Sequence, residues 1–220
     1  MKLKCSAARQ NALTLLECII VIATLAIILF AAYATIEMRS MPRARRVNCV
    51  CNLKQIGLAA RMFANDHFNE LPWQAPAAKG GALEPAAGGN VVSIFQVLTN
   101  ELVTPKVLIC PADQRRSRVN TFTQLAKSHI SYFVALEARQ ENYNDVMTGD
   151  RNITGGPIAN EIMSLPITNN AAGWDRNLHK FQGNIGLADG SVQQVTPTLL
   201  NTQLQKMVTK GMDTVHLLNP

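Results

Sequence analysis

The chain has 220 residues and a formal net charge of +6, and 5% of its residues are aromatic. Residues 40 to 220 are enough to bury a core, so we expect one domain beyond an apolar N-terminal segment. Lys2, Lys4 and Arg9 precede that segment, and without them 18 basic residues stand against 15 acidic ones, a balance too small to indicate nucleic acid binding.

The apolar segment, residues 13–36, carries a single charged side chain, Glu17. Its 24 residues exceed the ~20 that a membrane-spanning helix needs. A carboxylate inside lipid costs roughly 2.5–3.5 kcal/mol on insertion scales, so Glu17 needs a partner. A peptide bond cut before Leu13 would supply one, because it creates an N-terminal amine.

Three interpretations fit this segment. A secretory signal peptide would end at the small residues of Ala32-Tyr33-Ala34, but its apolar region would exceed the usual length of about 7–15 residues. A plain uncleaved anchor explains the length and leaves Glu17 unexplained. In the third interpretation, Ala12-Leu13-Thr14-Leu15-Leu16-Glu17 resembles the processing site of type IV pilins and type II secretion pseudopilins, with Ala12 and Leu13 where that family usually has Gly and Phe.

The resemblance implies that a prepilin peptidase cuts between Ala12 and Leu13 and methylates the new amine. It also implies that Glu17 pairs with the amine of a neighbouring subunit in a filament. The expected organisation is a leader of residues 1–12, a transmembrane half-helix of residues 13–38, and a pilin-like head of residues 39–220 that includes the second half of the helix.

Two features of the sequence predict opposite orientations of the span in the membrane. Four arginines follow the span and three basic residues precede it, which alone would keep the head in the cytoplasm. The processing-site match is the stronger evidence, so we expect a single-pass inner-membrane protein whose head is periplasmic or on the cell surface.

The expected fold is α+β, with a long N-terminal helix packed on a small antiparallel sheet, as in pilin-like proteins. Apolar side chains recur at steps of three and four residues up to about Asp66, which predicts the second half of the long helix. The stripe consists of Cys49, Leu53, Ile56, Ala60, Phe63 and His67.

Later elements are predicted in chain order. Residues 69–90 are predicted to be irregular and residues 91–102 to form a short helix. Strands are expected over 106–110 and 130–136, with a return toward the core over 149–154. Alternating runs at 184–188 and 191–195 flank Asp189-Gly190, which predicts a hairpin, and residues 198–210 should form a helix that stops at Gly211.

Five cysteines are present. Cys5 lies in the leader and Cys18 in the apolar segment, so the disulfide candidates are Cys49, Cys51 and Cys110. A head outside the cytoplasm would contain one bridge, Cys49–Cys110 or Cys51–Cys110. Zinc is not expected, because three cysteines without a paired histidine spacing do not supply four ligands.

A second resemblance lies toward the C-terminus. The spacing of His179, nine residues and Asp189-Gly190 resembles the C-terminal signature of a pilin-like group. Four other stretches resemble motifs of the same group in the same order: residues 52–59, 110–113, 131–133 and 149–152.

Catalysis is not expected. The sequence contains no nucleophile elbow, phosphate loop or metalloprotease motif, and His179 and Asp189 are interpreted as structural residues around the hairpin. No cofactor is expected either. Calcium stays open, because major pseudopilins carry one in a C-terminal loop and Asp145, Asp150 and Asp189 offer oxygen ligands, although no Asp-rich spaced loop is present.

The functional hypothesis is a structural subunit of a type II secretion or type IV pilus-like filament. Its expected partners are other copies of itself, the prepilin peptidase, the secretion or pilus assembly machinery and the inner membrane. The alternative is a membrane-tethered periplasmic binding protein that does not polymerise and that would tolerate the loss of Glu17.

Overall fold

A computed structural model describes residues 14–207 and 213–220, without the side chains of residues 34–42. The chain divides into two compact units, Met1–Arg43 and Ala44–Pro220, which are described separately below. Helix α1, Leu15–Asp66, contributes residues to both. Its end at Asp66 confirms the boundary predicted from the apolar stripe.

In the N-terminal unit, the first part of α1 is apolar and exposed. Every residue from Leu15 to Tyr33 is exposed, and the mean hydropathy of this stretch is 2.8. It is long and apolar enough to cross a membrane, and a signal sequence near an N-terminus would have the same properties.

The second unit is the head, residues 44–220, and it contains the sheet. Five stripe residues of α1 are buried there, and His67 is half-buried. Four further helices are short. They are α2 (Leu83–Ala87), α3 (Val91–Val97), α4 (Thr99–Leu102) and α5 (Pro197–Lys206).

Nine strands are described in the head. They are β1 (Tyr132–Ala135), β2 (Val146–Asp150), β3 (Ile153–Thr154), β4 (Ile158–Ala159), β5 (Ile162–Pro166), β6 (Gly173–Trp174), β7 (Gly183–Leu187), β8 (Val192–Val195) and β9 (Thr214–Leu218). Seven form an antiparallel sheet in the order β4-β5-β9-β1-β2-β7-β8, and β3 pairs with β6. The predicted α+β class with an antiparallel sheet is therefore confirmed.

One face of α1 and the sheet bury a common core. Ile56, Gly57 and Ala60 of α1 line the same small internal space as Val134 of β1 and Met147 of β2. A Cβ added at Gly57 would lie 3.7 Å from the Met147 side chain, so the helix sits close to the sheet there. This packing fixes α1 against the two central strands that carry the polar groups described below.

The β7–β8 hairpin confirms the turn predicted at Asp189-Gly190. The Asp189 carboxylate accepts a hydrogen bond from the Ser191 backbone N–H at 2.7 Å, as expected for aspartate at a turn. Gly190 has φ of +87°, a left-handed conformation that glycine adopts without strain.

Three local predictions were wrong or incomplete. Residues 106–110 are not a strand, because Pro105–Leu108 form a 3-10 helix in which the Thr104 side chain caps the Lys106 N–H. The predicted helix over 91–102 is two helices that meet at Leu98. The irregular stretch contains α2 and a 3-10 turn at Ala77–Lys79; two more 3-10 turns are Phe122–Gln124 and Lys127–His129.

The closing part of the chain also differs from the prediction. Helix α5 starts at Pro197, where the Thr196 hydroxyl caps the Leu199 N–H, and ends at Lys206. The predicted stop at Gly211 lies outside the described residues. Strand β9 follows and was not predicted, although it lies between β5 and β1 inside the sheet.

Candidate functional site

Glu17 has a partner within its own helix. Its carboxylate Oε2 accepts hydrogen bonds from the Thr14 backbone N–H at 2.8 Å and from the Thr14 hydroxyl at 3.1 Å. The Thr14 hydroxyl in turn accepts from the Glu17 N–H at 3.3 Å. This is a capping box, and its T-x-x-E spacing is visible in the sequence but was missed there.

The capping box modifies the expectation that Glu17 has no partner within its own chain. A carboxylate at the first turn of a helix is stabilised by the free N–H groups and by the helix dipole, so Glu17 does not lack every partner within one chain. The predicted cleavage position, Ala12 and Leu13, lies outside the described residues.

The head contains a buried disulfide between Cys49 of α1 and Cys110, which follows the 3-10 helix Pro105–Leu108. The two Cα atoms are 5.0 Å apart. Of the two pairings left open by the sequence, the structure thus has Cys49–Cys110. Cys51 is free and exposed, because residues two apart on a helix point in different directions.

His179 lies against this disulfide. Its Nε2 is 3.5 Å from Cys110 Sγ and 3.3 Å from Asp150 Oδ2 at the end of β2. Asn184 of β7 donates to the same Asp150 oxygen from its backbone N–H and from its side-chain amide, both at 2.7 Å. Among the described residues, the other carboxylate oxygen, Asp150 Oδ1, is buried without a hydrogen-bond partner.

Burial dominates the electrostatics of this pair. It raises the pKa of Asp150 to about 7, although the two Asn184 hydrogen bonds oppose the shift. It lowers the pKa of His179 to about 4, with a further contribution from the positive charge of Arg46. His179 is therefore a neutral imidazole at pH 7, which is the form that binds metal ions or donates one N–H to Asp150.

An ion pair with a buried carboxylate, Asp113, lies near the start of β1. Asp113 accepts two hydrogen bonds from Arg151, at 2.6 and 2.8 Å, and one from the Ser131 hydroxyl at 2.9 Å. Burial favours the neutral acid, but the Arg151 and Ser131 contacts outweigh it and lower the pKa of Asp113. This network ties the segment after Cys110 to β1 and β2, which is a structural role.

The signature residues are positioned by two arginines of α1. At one end of the hairpin, Arg46 donates to the His179 backbone carbonyl at 2.9 Å and to the Gln182 side chain at 2.7 Å. At the other end, Arg61 donates to the Asp189 carbonyl. The two arginines are 15 positions apart, or roughly 22 Å along a helix. His179 and Asp189 therefore hold opposite ends of the hairpin to α1 and do not form one reactive site.

The three calcium candidates do not form a cluster within the described part of the chain. Asp145 precedes β2 and Asp150 ends it, which places them roughly 15 Å apart. The Asp145 carboxylate accepts from the Arg139 N–H at 2.9 Å, and Asp189 serves the hairpin turn. No shared ion position follows from these contacts.

One group of described side chains does have metal-ligand geometry. The ligand atoms of Cys49, Cys110 and His179 all lie within 4.8 Å of one another, and all three residues are buried. The sequence shows no local cysteine and histidine spacing of the kind that binds zinc, because His179 is 69 residues from Cys110 and the fold brings the two together.

Comparison with known families gives a match over part of the chain. A family model described as "Protein of unknown function (DUF1559)" matches residues 42–99, about a quarter of the chain. The matched residues include the head portion of α1 and continue through α2 and α3. Curated proteins and solved structures gave no match to this chain. The family match and the apolar N-terminal helix are consistent with a pilin-like protein.

Proposed function

We propose that the chain is a pilin-like or pseudopilin subunit of a type II secretion or type IV pilus-like filament, processed before Leu13. Its role is mechanical rather than catalytic. The carrying observation is the stretch Leu15–Tyr33, which is apolar, helical and exposed throughout, with a single acid in its first turn. Lipid can surround such a surface in a resting subunit, and neighbouring helices replace the lipid in a filament.

Insertion into lipid does not by itself explain why a carboxylate, Glu17, lies in the first turn of this apolar helix. Apolar helices gain no hydrophobic free energy by leaving lipid for one another, so association in the membrane depends on close packing and polar contacts. A carboxylate in the first turn is the polar group that this segment offers to an amine on another copy. A membrane anchor that does not assemble would gain no such ion pair from the carboxylate.

The capping box supports this role through its geometry. Both bonds from Thr14 reach Oε2, so Oε1 is the carboxylate oxygen that we assign to the amine of a neighbouring subunit. Thr14 would hold the carboxylate in one orientation before the neighbour arrives. The ion pair then forms at one axial position and sets the register between subunits.

The charge of Glu17 is the first thing to test. We expect Glu17→Gln to reduce the yield of sheared filaments at least about tenfold, because the amide retains size and hydrogen bonding but loses the charge. The amount of subunit inserted in the membrane should not change. Thr24→Val is the matched control, since the Thr24 hydroxyl bonds only the Val21 carbonyl of its own helix in the described contacts.

An unchanged filament yield for Glu17→Gln would contradict the role in register. A protein that forms no filaments in either form, while Glu17→Gln inserts and folds normally, would instead favour the membrane-tethered binding protein.

Processing is tested by the intact mass of the membrane-extracted protein. We expect the loss of residues 1–12 together with the gain of one methyl group. A chain that begins at Thr35 would mean signal-peptide removal, and an intact chain that retains Met1 would mean a plain anchor.

A further inference from the structure

The disulfide of the head occupies a set of side chains that also suits a metal ion. Cys49 and Cys110 supply two sulfurs and His179 supplies Nε2, and these three ligand atoms lie within 4.8 Å of one another. Asp150 lies outside that group but 3.3 Å from His179 Nε2, so its carboxylate would complete the set after moving toward the sulfurs. All four side chains are buried. We propose that the reduced head binds Zn²⁺ through Cys49, Cys110, His179 and Asp150, and that the metal and the disulfide are alternative occupants of one site.

The separation between Cys110 and His179 agrees with one edge of a tetrahedral zinc site. Bond lengths of about 2.3 Å to sulfur, 2.0–2.1 Å to imidazole and 2.0–2.2 Å to carboxylate give ligand-to-ligand edges of about 3.6 Å for S–N and about 3.4 Å for N–O. Here Cys110 Sγ to His179 Nε2 is 3.5 Å, and His179 Nε2 to Asp150 Oδ2 is 3.3 Å. The first distance is therefore an edge already close to the required length. The second shows that the Asp150 carboxylate lies beside His179, although Asp150 would coordinate through Oδ1, because Asn184 holds Oδ2.

The sulfur–sulfur edge forms when the disulfide is reduced. Two thiolates on one zinc ion lie about 3.7 Å apart, so the sulfurs must separate from their bonded distance. Side-chain rotation at Cys49 and Cys110 supplies this movement, because the Cα atoms are already 5.0 Å apart. The proposal needs no large movement of α1.

Asp150 supplies an independent sign of unused binding capacity at this site. Its side chain is 0% exposed, and Oδ1 has no hydrogen-bond partner among the described residues. Such a buried acceptor is costly unless something positive approaches it. Asn184 meanwhile holds Oδ2 with two hydrogen bonds, which fixes the orientation of the carboxylate, as outer groups commonly do for metal ligands.

The charge balance is also suitable. Two thiolates and one carboxylate bring three negative charges to a dication, and a neutral His179 adds none. The resulting single negative charge lies near Arg46, whose guanidinium binds the His179 carbonyl. Arg46 also fixes the backbone of His179 toward the cysteines.

Conversion of the zinc-bound, reduced head to the disulfide form requires one reactant, a disulfide that acts as the oxidant. One cysteine thiolate attacks a small-molecule or protein disulfide, forms a mixed disulfide and releases the first oxidant sulfur as a thiolate. The second cysteine thiolate then attacks the cysteine sulfur of that mixed disulfide, which forms the Cys49–Cys110 bond, releases the other oxidant sulfur as a thiolate and frees Zn²⁺. Before oxidation, the metal would join the same two segments that the disulfide joins afterwards.

The deciding experiment compares reduced and oxidised full-length protein in detergent without any mutation. After anaerobic reduction with a phosphine, Co²⁺ is added as a spectroscopic substitute for Zn²⁺. We expect one ion per reduced chain, with visible ligand-field bands of tetrahedral cobalt and a thiolate-to-cobalt charge-transfer band. The oxidised protein should show neither. Zn²⁺ should displace the cobalt and bleach both bands.

Alkylation supplies a second measurement on the same samples. Zn²⁺ should protect Cys49 and Cys110 of the reduced protein from a maleimide, whereas the exposed Cys51 should react at an unchanged rate. A Cys51→Ser variant should retain the cobalt spectrum, and His179→Gln should weaken binding at least tenfold while circular dichroism reports the fold of each variant.

The proposal is overturned if the reduced wild-type chain binds no cobalt, if the spectrum lacks thiolate charge transfer, or if Cys51→Ser abolishes binding. Equal binding by oxidised and reduced protein would also overturn it. None of these outcomes affects the filament proposal, which depends on the N-terminal segment.

Discussion

The N-terminal segment and the head differ in whether equivalent apolar side chains are exposed or buried. Phe30 in the apolar segment is 76% exposed, whereas Phe95 of α3 is 0% exposed. The head buries a core of large apolar side chains within one chain, and the segment leaves its own on the surface. The head therefore contains its own core, while the segment needs a different surrounding, either lipid or other copies.

The acidic side chains of the two regions differ in how fully their own chain satisfies them. In the head, Asp113 is satisfied by Arg151 and Ser131. In the segment, Glu17 is exposed and is held by Thr14 through one carboxylate oxygen. Asp113 is thus bound within the head, whereas Glu17 retains a carboxylate oxygen that can bind a partner outside the chain.

The comparison is tested most strongly by one substitution in each region. Phe95→Ala should lower the free energy of unfolding of the head by about 3–5 kcal/mol, because it leaves a cavity in a fully buried site. Phe30→Ala should leave the unfolding of the head unchanged and reduce filament yield. Thermal denaturation in detergent and filament shearing measure the two effects.

A loss of head stability in Phe30→Ala would contradict the separation of the two regions. So would a normal melting temperature in Phe95→Ala, since α3 would then not belong to the core.

The disulfide gives the next largest effect. Cys49→Ser should cost the oxidised head about 2–4 kcal/mol, because the bond restricts a long loop of the unfolded chain. Cys51→Ser is the matched control two residues away, and it should have no effect on the melting temperature because that thiol is free and exposed. Non-reducing mass mapping should find Cys49 joined to Cys110, and a Cys51–Cys110 peptide would contradict the structure.

Acid should weaken the head through Asp113, with a smaller effect. Its pKa is lowered in the folded state, so its contribution is fully present above the pKa of an unfolded aspartate and is lost as pH falls through the folded value. Asp113→Asn should therefore be less stable than the wild type at neutral pH, and the difference between their denaturant midpoints should shrink as the pH falls, because Asp150 and His179 titrate in both proteins. Asp66→Asn, at an exposed position, is the control and should follow the wild-type slope.

The sequence predicted the parts of the fold that depend on neighbours along the chain. The end of α1 follows from the three-and-four spacing of its apolar stripe, and the β7–β8 hairpin follows from Asp189-Gly190. The capping box at Thr14 and Glu17 belongs to the same class and was available from its spacing.

Other features depend on contacts between distant residues. Strand β9 is five residues long and gains its stability from pairing with β1 and β5, so its own sequence is a weak signal. Residues 106–110 have an apolar pattern typical of a strand, but Pro105 and the Thr104 cap favour a helical turn. The cluster of cysteines, His179 and Asp150 assembles from four separate elements, and no local spacing reveals it.

The central claim is that neighbouring copies cover the apolar segment, and Cys18 tests it directly. This thiol is free and exposed within the segment. In membranes containing a Cys5→Ser, Cys51→Ser chain, a short membrane-permeable dithiol cross-linker should join Cys18 residues into dimers and higher ladders, and Glu17→Ala should reduce the ladder strongly. A Cys18 that reacts with the cross-linker yet yields only monomers would contradict the account.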